Sequence, residues 1–214
     1  MAKEELKIGE ISKPRFEFRS FGRCFAKQAE RMARLSVPVP EKVWERRSTE
    51  TYIVSRTNDM NNTKIRDGKM DIKTFVQKVD GLEQWKPLMK GEFPISAKVL
   101  KEEVFPAFKV QGMPELTKGE YTLGEFLQMV EAHPDLQAVT VEKVRFGYMV
   151  NNTICETGNV YINGALVKTI NSESTEIEDI KKTIADCGLE GVENINYLQA
   201  IKRVIGMIHK PLAN

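Results

Sequence analysis

The chain is short of the residues from which many catalytic and metal sites are built. Among 214 residues there are two histidines, His133 and His209, and three cysteines, Cys24, Cys155 and Cys187. The cysteines make no CxxC pair and no even-numbered framework, which speaks against a disulfide scaffold or thiolate zinc site and for a reducing compartment. Two scattered histidines, one beside a proline, leave little for imidazole catalysis or ligation. No GxxxxGK[ST] or GxGxxG run occurs, so neither glycine-rich phosphate cradle is present, and HExxH and GxSxG are missing as well. The formal net charge is only +2, which excludes the global field of a bulk nucleic-acid binder, so any anion site has to be local. No apolar run approaches the ~20 residues that a membrane helix requires. The opening "MAKEELKIGEISKP" is charged where a signal peptide needs an apolar stretch, so the expected location is the cytoplasm.

What is present is an ordinary globular composition, 41% hydrophobic and 29% charged, at a length suited to one sizeable domain. Residues 1–13 are polar and read as a flexible arm ahead of a single domain over 14–214. "RFEFRSF" alternates, with Arg15, Glu17 and Arg19 on one strand face and Phe16 and Phe18 on the other. "RCFAKQAERMARLS" has Phe25, Ala29, Met32 and Leu35 at helical spacing. A β meander follows: "TETYIVS", a turn at "NDMNN", "TKIR", a turn at "DGK", "MDIKTFVQK", a second "DG" turn and "LEQWKPLMKGEF". A helical insertion is expected over about 95–135. Its first helix is capped by Ser96 and stops before Pro106, and its second opens on a Thr122–Glu125 capping box. A second meander, "AVTVEKVRFGYMV", "TICETGNVYI" and "ALVKTINSES", turns at "NN" and "NG". A Thr175–Glu178 capping box and a stop at Gly188 frame the next helix, and "NINYLQAIKRVIGMI" forms the last. This order predicts an α+β fold, an antiparallel sheet or barrel with helices packed outside.

Charge falls on alternate strand positions: Arg15, Glu17 and Arg19, then Lys64 and Arg66, Asp71 and Lys73, Lys143 and Arg145, Glu156, and Glu173. The intervening positions include Phe16, Phe18, Ile65, Ile72, Val144 and Phe146. On an open sheet such charges would face solvent. In a closed barrel wrapped by helices, the apolar face turns outward and the charges turn into the lumen. A lumen lined in this way suits a polyphosphate: Lys and Arg hold phosphate oxygens, and carboxylates can hold a divalent cation between them.

In the order and spacing of these charges the chain resembles the CYTH superfamily, the triphosphate tunnel metalloenzymes, which include class IV adenylyl cyclases and thiamine triphosphatases. "RFEFRSF" stands at the place of the first-strand signature ExExK, "KIR" with "DIK" at the first basic cluster, "KVRFGY" at the second, and "CETGNVYINGALVKTINSES" at the acidic late strands. The resemblance covers nearly the whole chain from Arg15 onward and implies an eight-stranded antiparallel β-tunnel with helices outside. It implies triphosphate-binding roles for Arg15, Arg19, Lys64, Arg66, Lys73, Lys143 and Arg145. Glu17, Glu156 and Glu173 would be metal ligands, with Mg²⁺ or Mn²⁺ as cofactor. The implied activity is binding and hydrolysis of tripolyphosphate or of an organic or nucleoside triphosphate; cyclisation of a nucleotide, or binding without turnover, would use the same lumen. The implied partner is a small-molecule triphosphate or nucleotide, with a triphosphorylated RNA end less favoured. Two departures matter. Arg15 replaces the first Glu of the signature, removing a ligand and adding positive charge. Arg19 replaces its Lys, and a guanidinium is a poor base. No catalytic base is therefore assigned, and phosphate binding survives both changes better than hydrolysis. Trp85 either stacks on a base or sugar or packs in the core.

Overall fold

The computed structural model describes residues 14–214; the arm expected over 1–13 lies outside the described residues. The strands are β1 (Phe16–Gly22), β2 (Glu45–Ser55), β3 (Asn58–Arg66), β4 (Lys69–Val79), β5 (Leu82–Glu92), β6 (Ile95–Ser96), β7 (Glu120–Tyr121), β8 (Leu136–Val150), β9 (Thr153–Ile162) and β10 (Ala165–Ser174). The helices are α1 (Ala26–Leu35), α2 (Glu41–Trp44), α3 (Ala97–Val99), α4 (Phe105–Phe108), α5 (Leu123–Ala132), α6 (Ile177–Cys187) and α7 (Tyr197–Val204). Eight strands close into a barrel in the order β1-β10-β9-β8-β2-β3-β4-β5, every pair antiparallel, while β6 and β7 form a separate two-stranded sheet.

Local chemistry accounts for most of the connections. Asp67-Gly68, Asp80-Gly81, Asn151-Asn152 and Asn163-Gly164 all have positive φ at both positions, the type I′ geometry whose twist matches paired strands. The turn expected at "NDMNN" is instead the start of β3, and the chain reverses at Arg56-Thr57. There the Asn58 side chain accepts hydrogen bonds from the Met60 and Asn61 amides at 2.8 and 3.2 Å, so turn chemistry is spent inside an irregular strand start.

Two helix boundaries also differ from expectation. Ser96 caps as foreseen, its hydroxyl accepting from the Val99 amide, but the helix does not stop before Pro106. A π-helical turn over Leu100–Val104 precedes the proline and carries the chain into α4, which spares the i−4 hydrogen bond that Pro106 cannot donate. The Thr122–Glu125 capping box forms as expected. Thr175–Glu178 does not form one: the N-cap of α6 is Glu176, and the Thr175 hydroxyl faces the Glu176 carboxylate.

Two apolar layers cover part of the outside. Ile53, Ile65, Ile72 and Met89 pack under the segment from Ile95 to Leu136, with Phe105, Phe108 and Phe126 against them. Phe18, Ile170 and Cys155 pack under α1 and α6 through Met32, Ile180 and Cys187. Elsewhere the outer face is bare: Arg47, Thr49, Ala138, Thr140 and Glu142 on β2 and β8 are exposed. Among the described residues no helix is long and apolar enough to cross a membrane.

The third apolar layer lies inside. On each strand the lumen face changes character along its length, from Arg46, Ser48 and Glu50 to Tyr52 and Val54 on β2, and from Arg145 and Lys143 to Val141 and Val139 on β8. Glu156 and Gly158 give way to Val160 and Ile162 on β9, and Glu17 and Arg19 to Phe21 on β1. The apolar half is filled by α7 and its flanks, with Ile195, Leu198, Ala200 and Ile201 buried against it. Residues 193–196 reach this position at the seam where β1 and β5 share only two ladder pairs. Asn194 bonds there to the Glu17 and Gly81 carbonyls and to the Arg19 amide, and the Ile195 amide donates to the Arg19 carbonyl at 2.6 Å. Lys202, 1% exposed, donates to the Asn58 carbonyl and to Asp59 at the β2–β3 end, fixing α7 across the barrel. The barrel is thus a cup with one charged half.

Candidate functional site

The ladder places the candidate residues of β1, β3, β4, β8, β9 and β10 on the lumen side, and Arg15 directly precedes β1. Arg46 pairs with Arg145 and Ser48 with Lys143 across β2 and β8, Gly158 faces Arg145, and Glu156 faces Asn171. Glu17 lies opposite Glu173, and Arg19 opposite Asn171. The other wall carries Lys64 beside Asp71 and Asn62 beside Lys73. Arg15 closes the ring at the rim by donating to Glu173 at 3.1 Å. Arg46, Glu50 and Tyr52 were not among the sequence candidates. The strand was expected to begin at Thr49, which left Arg46 out, while Glu50 and Tyr52 lay within "TETYIVS" without being singled out.

Carboxylates and cations are interleaved. Glu156, 5% exposed, receives Arg46 at 2.7 Å, Arg19 at 3.4 Å and Arg145 at 3.5 Å. Arg19 also donates through Nε to Glu17 at 2.6 Å, bridging two carboxylates. Burial pushes the Glu17 carboxyl up, but Arg19 and Lys73 outweigh it and hold the group below its ordinary value. At Glu173 burial prevails with help from Glu17, and the carboxyl is raised despite Arg15 and Arg19.

The floor is a second cluster. Lys143, 3% exposed, donates to Glu50 at 2.7 Å and to the Tyr52 hydroxyl at 2.8 Å, and its ammonium lies 4.0 Å from the Tyr197 ring centroid. Tyr197 stacks on Tyr52 at 5.6 Å and meets the Arg19 guanidinium on its face at 4.9 Å. Burial lowers Lys143 to about 7, with Lys64 and Arg145 adding to it against the pull of Glu50. Glu50 is held at about 2 because Lys143 and Lys64 together outweigh its burial. Trp85 sits beside Phe75 with its indole N–H on Glu83, and packs at the edge of the α7 cluster.

The metal roles given to Glu17, Glu156 and Glu173 do not fit this arrangement. Among the described residues no three His, Cys, Asp or Glu side chains come close enough together to hold a metal ion. Each of the three carboxylates already accepts from a guanidinium, which cannot give up its proton. A divalent cation on the same oxygens would stand ~4.5 Å from that charge, a repulsion on the order of 7 kcal/mol at an effective dielectric of ~20.

Gly158 shapes the Arg145 side of the cup. A Cβ there would lie 2.8 Å from the Val144 carbonyl oxygen and 3.2 Å from Arg145 Cγ, so the missing side chain lets Arg145 lie across β9 towards Glu156. Gly158→Ala is expected to lower Tm by about 5 °C through overpacking against backbone. A thermal melt of the two proteins checks this, and an unchanged Tm would show that the strand absorbs the methyl freely.

No protein-family model matches the chain, and no curated protein does. Solved structures similar to it include an adenylate cyclase candidate from Bacillus halodurans, 14% identical over 86% of this chain and 95% of that one, TM-score 0.46. A Pyrococcus horikoshii protein is 17% identical over 86% and 99%, TM-score 0.45. An adenylyl cyclase candidate from Hippeastrum, described as having a dominant triphosphatase activity, is 9% identical over 91% and 97%, TM-score 0.45. These likenesses assign no role to any residue. The closed eight-stranded antiparallel barrel is the fold that the order of charges led one to expect.

Proposed function

We propose that the charged half of the cup binds an oligophosphate, either inorganic tripolyphosphate or the triphosphate of a nucleotide or other organic molecule. One observation carries this reading: three guanidinium groups, from Arg19, Arg46 and Arg145, converge on the single carboxylate of Glu156. Nε of Arg46 and Nε of Arg145 are buried with no hydrogen-bond partner. Buried charged donors left unpaired are costly, and phosphate oxygens are acceptors matched to the guanidinium fork. Lys64, Arg66 and Lys73 on the facing wall give a phosphate chain cations on both sides.

Hydrolysis is a second reading, and Lys143 favours it. Arg19, at the signature's Lys place, stays protonated, whereas an amine held near 7 is partly neutral at physiological pH and can take a proton. Calorimetric titration with tripolyphosphate, ATP, thiamine triphosphate and orthophosphate, with phosphate release followed in parallel, tests both. Triphosphates are expected to bind at least about 100-fold more tightly than orthophosphate. Absence of triphosphate binding would sink the oligophosphate reading; phosphate release that rises through pH 7 and is lost in Lys143→Arg would support the hydrolytic one.

A further inference from the structure

We infer that the arginines of this chain stand in for the divalent cation, so that the cup takes its oligophosphate free of metal. The inference rests on the oligophosphate reading above. It starts from an electrostatic conflict: Glu17 and Glu173 face each other directly across the β1–β10 ladder, an arrangement that is unfavourable unless a cation is shared with them. In this chain guanidinium groups meet that need. Arg15 holds Glu173 from the rim, and Arg19 holds Glu17 at 2.6 Å while reaching Glu156 at 3.4 Å. Both arginines come from one strand segment, "RFEFRSF", at the two positions that depart from ExExK.

The consequence is a change in what a phosphate chain meets. A metal-bridged site presents carboxylates to a cation that then holds the phosphates. Here each of the three carboxylates already accepts from a guanidinium, and the donors left over include the buried, unpartnered Nε atoms of Arg46 and Arg145. Their N–H groups can donate directly to phosphate oxygen. A divalent cation chelated by the ligand would arrive beside groups that cannot deprotonate, so it opposes binding rather than assisting it.

The experiment titrates the intact protein with sodium tripolyphosphate by calorimetry, once in EDTA and once with excess Mn²⁺, with the concentration of free ligand taken into account. Binding of Mn²⁺ alone is read in parallel by water-proton relaxation. The expected result is an affinity in EDTA at least about threefold tighter than in Mn²⁺, with no relaxation enhancement from Mn²⁺ and protein alone. Arg15→Glu with Arg19→Lys, which rebuilds the signature, is expected to gain Mn²⁺ binding. An affinity that falls about tenfold or more when Mn²⁺ is chelated would overturn the inference and leave the oligophosphate reading standing. No binding under either condition would overturn both. The unsubstituted protein decides the question, so the outcome does not depend on the variant folding.

Discussion

Replacing Arg46 and Arg145 together by glutamine is expected to weaken tripolyphosphate binding by about 100-fold or more. The two residues are cross-strand partners on the lumen face, both reach Glu156, and both keep an unpartnered Nε inside the cup. A hydrogen bond to a charged group contributes about 1.5–3 kcal/mol, and two lost together correspond to roughly 10²–10⁴ in affinity. Glutamine is shorter but keeps some donor capacity without the charge, and Arg19 still holds Glu156, so the carboxylate is not stranded. Arg47→Gln is the control: Arg47 follows Arg46 in sequence but points to the opposite face, where it is exposed and paired with Glu45. Calorimetry on the three proteins decides the matter. If the double variant binds tripolyphosphate as tightly as the parent, the cup is not the phosphate site.

Lys143→Met is expected to lower stability by about 3 kcal/mol, a fall in Tm of roughly 10 °C for a domain of this size. The ammonium is the closest partner of Glu50, which is 1% exposed and keeps the Ser48 hydroxyl at 3.4 Å and the more distant cations Arg66 at 3.5 Å and Lys64 at 4.0 Å once it is gone. Breaking a buried pair strands a charge, whereas removing both partners does not, so Glu50→Gln with Lys143→Met should recover most of the loss. A single variant no less stable than the double would contradict this account of the floor. The pH dependence follows from the same pair. Lys143 titrates at about 7 when folded against 10.5 ordinarily, so the unfolded chain binds the extra proton between these values. Its contribution to stability therefore rises with pH over that window. Glu50, at about 2 against 4.5, contributes stability that is complete above pH 4.5 and is lost as pH falls towards 2. Melting curves of the parent and of Glu50→Gln should diverge most above pH 4.5 and converge below it.

Turns and charged faces were the most legible parts of the fold. Asp-Gly, Asn-Asn and Asn-Gly name their own hairpins because few other residues tolerate positive φ at both turn positions. Alternation at "KIR", "DIK" and "KVR" put Lys64, Arg66, Lys73, Lys143 and Arg145 on one face, and the ladder keeps them there. Arg46 was missed because strand limits carry no sharp signal, and a start at Thr49 rather than Glu45 leaves it out; Glu50 lay inside the expected strand "TETYIVS" and was not singled out. The π turn before Pro106 was hidden for a similar reason: proline announces a break, while the means of accommodating it depends on the packing of Leu100, Val104 and Phe105 below.

What the sequence determined by itself was the set of antiparallel hairpins and the sorting of charge to one strand face, because both follow from local backbone preference and a period of two. Tertiary structure decided the rest. Only the pairing of β2 and β9 on either side of β8 brings Arg46 and Arg145 to Glu156, and only the seam between β1 and β5 lets residues 193–196 lead α7 into the lumen. The pairing of Arg15 and Arg19 with the carboxylates expected to hold metal was also undecided by the sequence. A carboxylate serves a cation or a guanidinium according to which lies within about 3 Å, and that distance is fixed by strand register rather than by residue type.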